Sequence, residues 1–289
     1  MKINETRVAF ITGAANGIGK AAALMLARQG ATVVSFDNDD TELQLKSLEK
    51  ILIDRRARSS YETWFVISFL INHKTGSAVR RCLPELKSKI LIRKKYQKVD
   101  ILINNAGDYV DSSMLKDPYE YGLAGLEKML RLFAGSTYAF TLLAAPLMAS
   151  QREGVIINVL TNHLHRDVCR VSPEEHAYDA AKYAQMSLNM SMAVELHPCG
   201  IRVNAVDPAA TYTGMLRSYF ADRGMDADVA SIQKVTGTGS LMMPEDVALA
   251  ICNLIREEDP APVGKNYLLR YPQDCRNLGC NGGEEACIR

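Results

Sequence analysis

The sequence predicts an α/β fold, a parallel sheet covered by helices on both faces, and two observations carry that prediction. The first forty residues read as strand, turn, helix, strand, and apolar runs of strand length then recur with enough chain between them for helices. Val8 to Thr12 is a short apolar run, Lys20 to Gln29 alternates at helical spacing, and Thr32 to Phe36 is apolar again, which makes one βαβ unit. Further strands are expected at Asp100 to Ile103, Val155 to Leu160, Ile201 to Val206 and Lys265 to Leu269. Strands that alternate with helices in this way pair in parallel and are buried on both sides. Gly76 and Pro84 punctuate the region between the second and fourth strands without a linker-like composition, and no internal repeat or low-complexity tract appears. Residues 1–270 therefore read as one domain. After Arg270, Pro, Gly, Asn and three Cys replace the apolar periodicity, so 271–289 reads as an irregular extension.

Composition narrows the function classes. The chain has 289 residues, 47% hydrophobic and 23% charged, which suits a globular protein with a sizeable core. Lys plus Arg is 34 against 33 for Asp plus Glu, so the net charge of +1 gives no electrostatic reason to expect nucleic acid or an anionic membrane as partner. The longest apolar run, Trp64 to Ile71, is far shorter than the roughly 20 residues that span a bilayer. The first residues, with Lys2, Glu5 and Arg7 before a short apolar run, lack the pattern of a signal peptide. Of seven Cys, Cys82, Cys169, Cys199 and Cys252 are spread singly, which suits a reducing compartment, and a cytoplasmic location is expected.

The motif TGAANGIG begins at Thr12 and places Gly13, Gly17 and Gly19 in the turn between the first strand and the first helix. A tight turn needs glycine there, and a Cβ would keep the backbone N–H groups from a pyrophosphate at the helix N-terminus. Three glycines alone are weak evidence, since they also simply turn a chain. Here they follow a strand, open a helix and precede Asp37, which ends the next strand, as a dinucleotide site requires. Asp37 would accept hydrogen bonds from the adenosine ribose and repel a 2′-phosphate. With no Lys or Arg between Gly13 and Gly19, NAD is the expected cofactor.

A second feature of redox chemistry is the run YDAAK from Tyr178 to Lys182, whose spacing of four sets both side chains on one helix face. Alone, such a pair is more often a half-buried Tyr beside a solvated Lys. Beside a nucleotide site it acquires a use, because hydride transfer to a carbonyl needs a proton delivered to the substrate oxygen. A phenol near pKa ≈ 10 must come down by roughly three units, about 4 kcal/mol, to serve at neutral pH. A neighbouring ammonium favours the phenolate and can supply that.

With TGAANGIG, the NNAG of Asn104 to Gly107, the YDAAK pair and the run IRVNAVDP of Ile201 to Pro208 in this order, the sequence resembles the short-chain dehydrogenase/reductase family over roughly residues 6 to 270. The resemblance implies a single Rossmann-like, doubly wound domain with a seven-stranded parallel sheet. It implies catalytic Tyr178 assisted by Lys182, with the hydroxyl of Thr161 orienting the substrate oxygen where the family usually has Ser. It places Gly13, Asn16, Gly17, Ile18 and Gly19 at the pyrophosphate, Asp37 at the ribose, Asn104, Ala106 and Gly107 along the adenosine side, and Pro208, Thr211 and Thr213 toward the nicotinamide, with Tyr178 and Lys182 also touching the cofactor. It further implies a homo-oligomer, dimer or tetramer; Ala180, Ala181 and Ala184 would permit close helix packing between subunits.

Several positions depart from the family. From Thr161 to Tyr178 the loop HLHRDVCRVSPEEH is enlarged, which makes Ser172 a competing candidate for the catalytic hydroxyl. Phe133 falls where the family has an Asn in a proton relay, and no Asn occurs between Asn105 and Asn158. Asn72 is the candidate to meet adenine, and Ala209 stands where a Gly would follow Pro208. His163 and His165 invite a metal, but two His at this spacing occur by chance and the resemblance implies no metal for hydride transfer, so none is expected. Met215, Leu216, Tyr219, Phe220, Met225, Leu241 and Met242 fall in a lid of about 214–243, either facing a bulky apolar substrate, a hydroxysteroid being the first guess, or forming the lid's own core. The function expected is interconversion of a secondary alcohol and a ketone with NAD(H). The alternative is a catalytically silent NAD-sensing module, which would need none of Thr161, Tyr178 and Lys182.

Overall fold

Strands β1 (Val8–Thr12), β2 (Thr32–Asp37), β3 (Tyr61–Phe65), β4 (Ile101–Asn104), β5 (Gly154–Val159), β6 (Ile201–Pro208) and β7 (Asn266–Leu269) form one sheet in the computed structural model. Their order is β3-β2-β1-β4-β5-β6-β7, and every pairing is parallel. The order reverses at β1, with β2 on one side and β4 on the other, which is the switch point where doubly wound sheets bind ligands. The structure describes residues 1–37, 61–65, 97–111, 113–165, 174–236, 241–257 and 264–270. Asn72, Ser172, Cys82, Cys169, the three tail cysteines and the extension after Arg270 lie outside them.

Helices α1 (Gly17–Arg28) and α7 (Pro244–Arg256) cover one face of the sheet, and α3 (Ser136–Gln151) and α4 (His176–Leu196) the other, with α2 (Tyr119–Leu130) leading into α3. The strand side chains alternate between the two layers, as a period of two requires. Ile101, Ile103, Val155 and Ile157 pack toward Ala22, Leu26 and Ile251, whereas Leu102 and Ile156 pack toward Phe140, Met148 and Met192. The buried face of α1 is built of Gly19, Ala21, Ala22, Ala23, Leu26 and Ala27, so the helix lies close against β1 and brings its first turn to the β1 C-terminus. Two short helices, α5 (Gly214–Ala221) and α6 (Val229–Thr236), follow β6.

Two expectations about the chain change here. The third strand, which the apolar pattern did not locate, is Tyr61–Phe65, where Glu62 and Thr63 interrupt the apolar signal. The helical run Tyr119–Gln151 is long and apolar enough, by length and composition, to cross a membrane. Glu127, Lys128 and Arg131 interrupt its apolar residues, so no single apolar run marks it in the sequence. Half of its most apolar window is buried inside the protein, against the sheet and α4.

Candidate active site

The glycine turn is held by its neighbours rather than by its own sequence. The Asn105 side-chain amide donates to the carbonyls of Thr12 (3.1 Å) and Gly13 (3.0 Å), while the Thr12 hydroxyl accepts from the N–H groups of Asn105 and Ala106. Gly13 has φ +67°, and a Cβ on it would come within 2.8 Å of Ala106 Cα. A Cβ on Gly19 would meet the Gly13 carbonyl oxygen at 2.2 Å. Gly17, at φ +54°, would set its Cβ 3.1 Å from Thr213 Cγ2, which brings the turn and the start of α5 together. Asn16 is exposed beside them, and Ile18 packs on the α1 layer. At the end of β2, Asp37 accepts from the Ala15 N–H at 2.8 Å, so the acid is fixed against the turn.

Below the turn, four asparagines link the sheet to α4. Asn104 donates to Asn158 (2.9 Å), Asn158 to Asn189 (2.8 Å), and Asn189 to Asn266 (3.1 Å). The side-chain amide of Asn104, expected along the adenosine side, is thus committed to Asn158. Asn105, which the motif reading left aside, is the asparagine that holds the turn. Thr211 is likewise buried and donates to the Ala209 carbonyl, whereas Thr213 caps α5 by accepting from Leu216 N.

At the β5 C-terminus, Thr161 is buried in extended backbone and accepts from the His163 N–H, capping a 3₁₀ turn at Asn162–Leu164. Tyr178 enters from α4, half-buried, with its ring edge-on to Phe133 (5.4 Å) and to His163 (5.6 Å) and tilted against Tyr109 (6.0 Å). One helical turn on, the Lys182 ammonium donates to the Val159 carbonyl at 2.8 Å and to Gln185 Oε1 at 3.2 Å, and lies 4.1 Å from the centre of the Phe133 ring. Gln185 is oriented in turn by donating to the Thr137 hydroxyl. Burial pushes the Lys182 ammonium down to about 7, against the opposing charge of Asp207. Phe133 reaches both groups because Arg131–Gly135 is a π turn between α2 and α3, a distortion that often marks functional sites. Gly107 is the residue that leaves room for it, since a Cβ there would lie 2.8 Å from the ring.

The two histidines that open the enlarged loop are both paired with buried carboxylates. His163 Nδ1 pairs with Asp179 (2.9 Å) and lies 3.5 Å from Glu175, while His165 Nε2 pairs with Asp207 (2.7 Å). The two imidazoles therefore do not share a ligand. His163, Glu175 and Asp179 do bring three ligand atoms within 4.8 Å of one another, carboxylates that sequence distance concealed. In the segment expected to form a lid, Phe220, Leu241 and Met242 are buried in protein and are core, while Met215 reaches toward Gly107 and Tyr219 packs on Tyr109 at 5.0 Å. Arg223 stacks on Tyr219 at 3.5 Å and pairs with Asp111, joining this segment to the loop after β4.

Two family models match the chain, one described as enoyl-(acyl carrier protein) reductase over residues 89–269 and one as short chain dehydrogenase over residues 7–65. The chain is 27% identical over 263 residues to the 3-oxoacyl-(acyl-carrier-protein) reductase FabG of Thermotoga maritima, covering 90% of this chain and 95% of that protein. It is 27% identical over 277 residues to a borneol dehydrogenase of Lavandula x intermedia, covering 96% and 94%. The structure of L-sorbose reductase from Gluconobacter frateurii, complexed with NADPH and L-sorbose, superposes with a TM-score of 0.74 at 22% identity, covering 93% of this chain and 97% of that one.

Proposed function

Because the chain belongs to the short-chain dehydrogenase/reductase family, whose relatives act on CH–OH and C=O groups, we propose that it is an NAD(H)-dependent enzyme interconverting a secondary alcohol and a ketone. The observation that carries this is the placement of Tyr178 and the buried Lys182 ammonium at the end of β5, beside a glycine turn pinned to β4. The turn suits a dinucleotide, since Cβ atoms on Gly13 and Gly19 would collide with Ala106, Asn105 and the Gly13 carbonyl, and only glycine lets the chain wind tightly enough to present its N–H groups to a pyrophosphate. Gly13, Asn16, Gly17, Ile18 and Gly19 would hold the pyrophosphate, Asp37 the ribose, Ala106 and Gly107 the adenosine side with the Asn104 backbone, and Pro208, Thr211 and Thr213 the nicotinamide side. A nicotinamide bound there would supply the hydride chemistry at the substrate carbon.

The protein's own groups handle the proton. In reduction, the Tyr178 hydroxyl gives its proton to the substrate oxygen as charge develops there, and in oxidation the phenolate takes it back. Lys182 stabilises that phenolate, and Thr161 donates a hydrogen bond to the same oxygen. The carboxylate of Asp37 supports NAD over NADP; the neighbour with NADPH bound makes this the first point to measure. Tyr109 beside Tyr178, with Tyr219 against Tyr109 and Met215 near Gly107, supports a bulky, ring-bearing substrate, with hydroxysteroids first to screen. A homo-oligomer belongs to the same reading. Ala181 is buried within the subunit, but Ala180 is exposed and Ala184 partly so, and with the exposed Tyr138 and Leu142 of α3 and Met190 and Val194 of α4 they support the contact; light scattering reads it. A cytoplasmic setting rests on sequence alone and is read by fractionation.

The decisive experiment is NADH oxidation across ketosteroids, quinones, sugars and short-chain ketones, with Tyr178→Phe as the control. The variant keeps the ring contacts and loses only the hydroxyl. The turnover found should fall by the 10²–10⁴ that a positioned acid commonly contributes, with NADH affinity nearly intact. A variant retaining more than about a tenth of the activity overturns the assignment, and NADH binding without turnover anywhere in the screen favours a silent sensing module.

A further inference from the structure

Asp207 lies near the end of β6 with its side chain fully buried, a position where a carboxylate is rare unless paired. Its Oδ2 is 2.7 Å from Nε2 of His165, which arrives on the loop that follows Thr161. The strand register sets Asp207 beside the catalytic helix. Val159 and Val206 are partners across β5 and β6, the Val159 carbonyl takes the Lys182 ammonium at 2.8 Å, and Asp207 is the residue after Val206. The groups that touch the ammonium directly, the Val159 carbonyl, Gln185 and the Phe133 ring, are all neutral. A buried ammonium among neutral groups loses its proton readily, and a buried carboxylate nearby is the arrangement that opposes the loss.

Resting on the reading of Lys182 as the ammonium that assists Tyr178, we infer that Asp207 is a positioning residue that keeps Lys182 charged, and that His165 keeps Asp207 ionised. The facing charges are consistent with this. Asp207 pairs with His165 and lies within electrostatic reach of Lys182, whereas the neighbouring His163 is turned to Asp179 and Glu175. Burial pushes the Asp207 carboxyl up, and His165 and Lys182 pull it back. Burial pushes Lys182 down and Asp207 is the opposing charge. Removing Asp207 therefore moves the loss of the Lys182 proton to lower pH.

The test is the titration of the Lys182 ammonium by NMR of ¹⁵N-lysine-labelled protein, assigned by the signal missing in Lys182→Met. It needs no substrate. Asp207→Asn keeps the size of the side chain and an oxygen for His165 while removing the charge, and should lower the Lys182 midpoint by about one pH unit, a tenfold change in its proton affinity. His165→Gln, on a partly exposed loop residue, should shift it in the same direction by less and covers the case in which Asp207→Asn fails to fold. A merely structural role would lower the melting temperature and leave the midpoint in place. A midpoint unmoved in whichever of the two variants folds overturns the inference. If that happens while Tyr178→Phe is inactive, the proposed chemistry stands and only the role of Asp207 falls; an active Tyr178→Phe removes the chemistry itself.

Discussion

Gly19→Ala adds a single methyl at the point where the turn is tightest. The new Cβ would lie 2.2 Å from the Gly13 carbonyl oxygen and 2.5 Å from Asn105 Nδ2. Neither neighbour is a flexible chain end. The Gly13 carbonyl accepts from Asn105 at 3.0 Å, and the Gly13 N–H donates to Phe36 at 2.8 Å, so both flanks of the turn are tied to the sheet. Ordinary contact needs about 3.5 Å, so the turn must open by about 1 Å. Overpacking of this kind costs about 1–3 kcal/mol, and here the strain falls on the backbone that meets the pyrophosphate. At 1.4 kcal/mol per decade, NADH affinity should fall by about tenfold or more, read by fluorescence titration. Gly122→Ala is the matched control, because nothing lies within 4 Å of its added methyl on α2. That variant should gain about 0.5–1 kcal/mol of stability with NADH affinity unchanged. A Gly19→Ala protein binding NADH within twofold of the parent would refute the reading of this turn as the cofactor cradle.

Two other substitutions separate the remaining roles. Thr161→Ser should stay active, whereas Thr161→Val, which keeps the shape and loses the donor, should lose about 10²-fold in kcat; an active Thr161→Val would show that another hydroxyl orients the substrate. Asp37→Ala should weaken NADH and bring NADPH closer to it, since a repulsive charge disappears along with a hydrogen bond to Ala15. Equal kcat/KM for NADH and NADPH in the parent protein would contradict the role given to Asp37.

What the sequence made legible was whatever depends on neighbours in the chain. The strands before and after the glycine turn match their expected ranges closely, because a buried parallel strand is a local apolar run. Helix α1 starts at Gly17 rather than Lys20, since the end of the glycine turn itself winds into the first helical turn. Strand β3 was missed because Tyr61–Phe65 carries no such run. The site shows the same division. Tyr178 and Lys182 are four apart on one helix and could be paired on sight, but the pairing of His165 with Asp207 spans 42 residues and that of His163 with Asp179 spans 16. No periodicity reports such contacts. Phe133 was visible only as a missing Asn; that its ring would cover the Lys182 ammonium depended on a π turn that residue preferences do not reveal.

The buried lysine sets activity and stability on opposed pH slopes. Folded, Lys182 sits at about 7, pushed down by burial, and in the unfolded chain it returns to its ordinary 10.5. Between those values the unfolded chain binds more protons at this group than the folded one, so the contribution of Lys182 to stability rises with pH from about 7 to 10.5. Over the same interval the folded protein loses the ammonium proposed above to stabilise the Tyr178 phenolate. Turnover that depends on the ammonium should therefore decline through the range in which this group makes the fold more stable. Lys182→Met removes the titrating group, and denaturant unfolding at pH 7 and pH 9 should show a smaller gain in stability for the variant than for the parent protein. An equal gain in both would mean that Lys182 keeps its ordinary proton affinity in the fold, and that the carbonyl, the amide and the ring around it solvate the ammonium as well as water does.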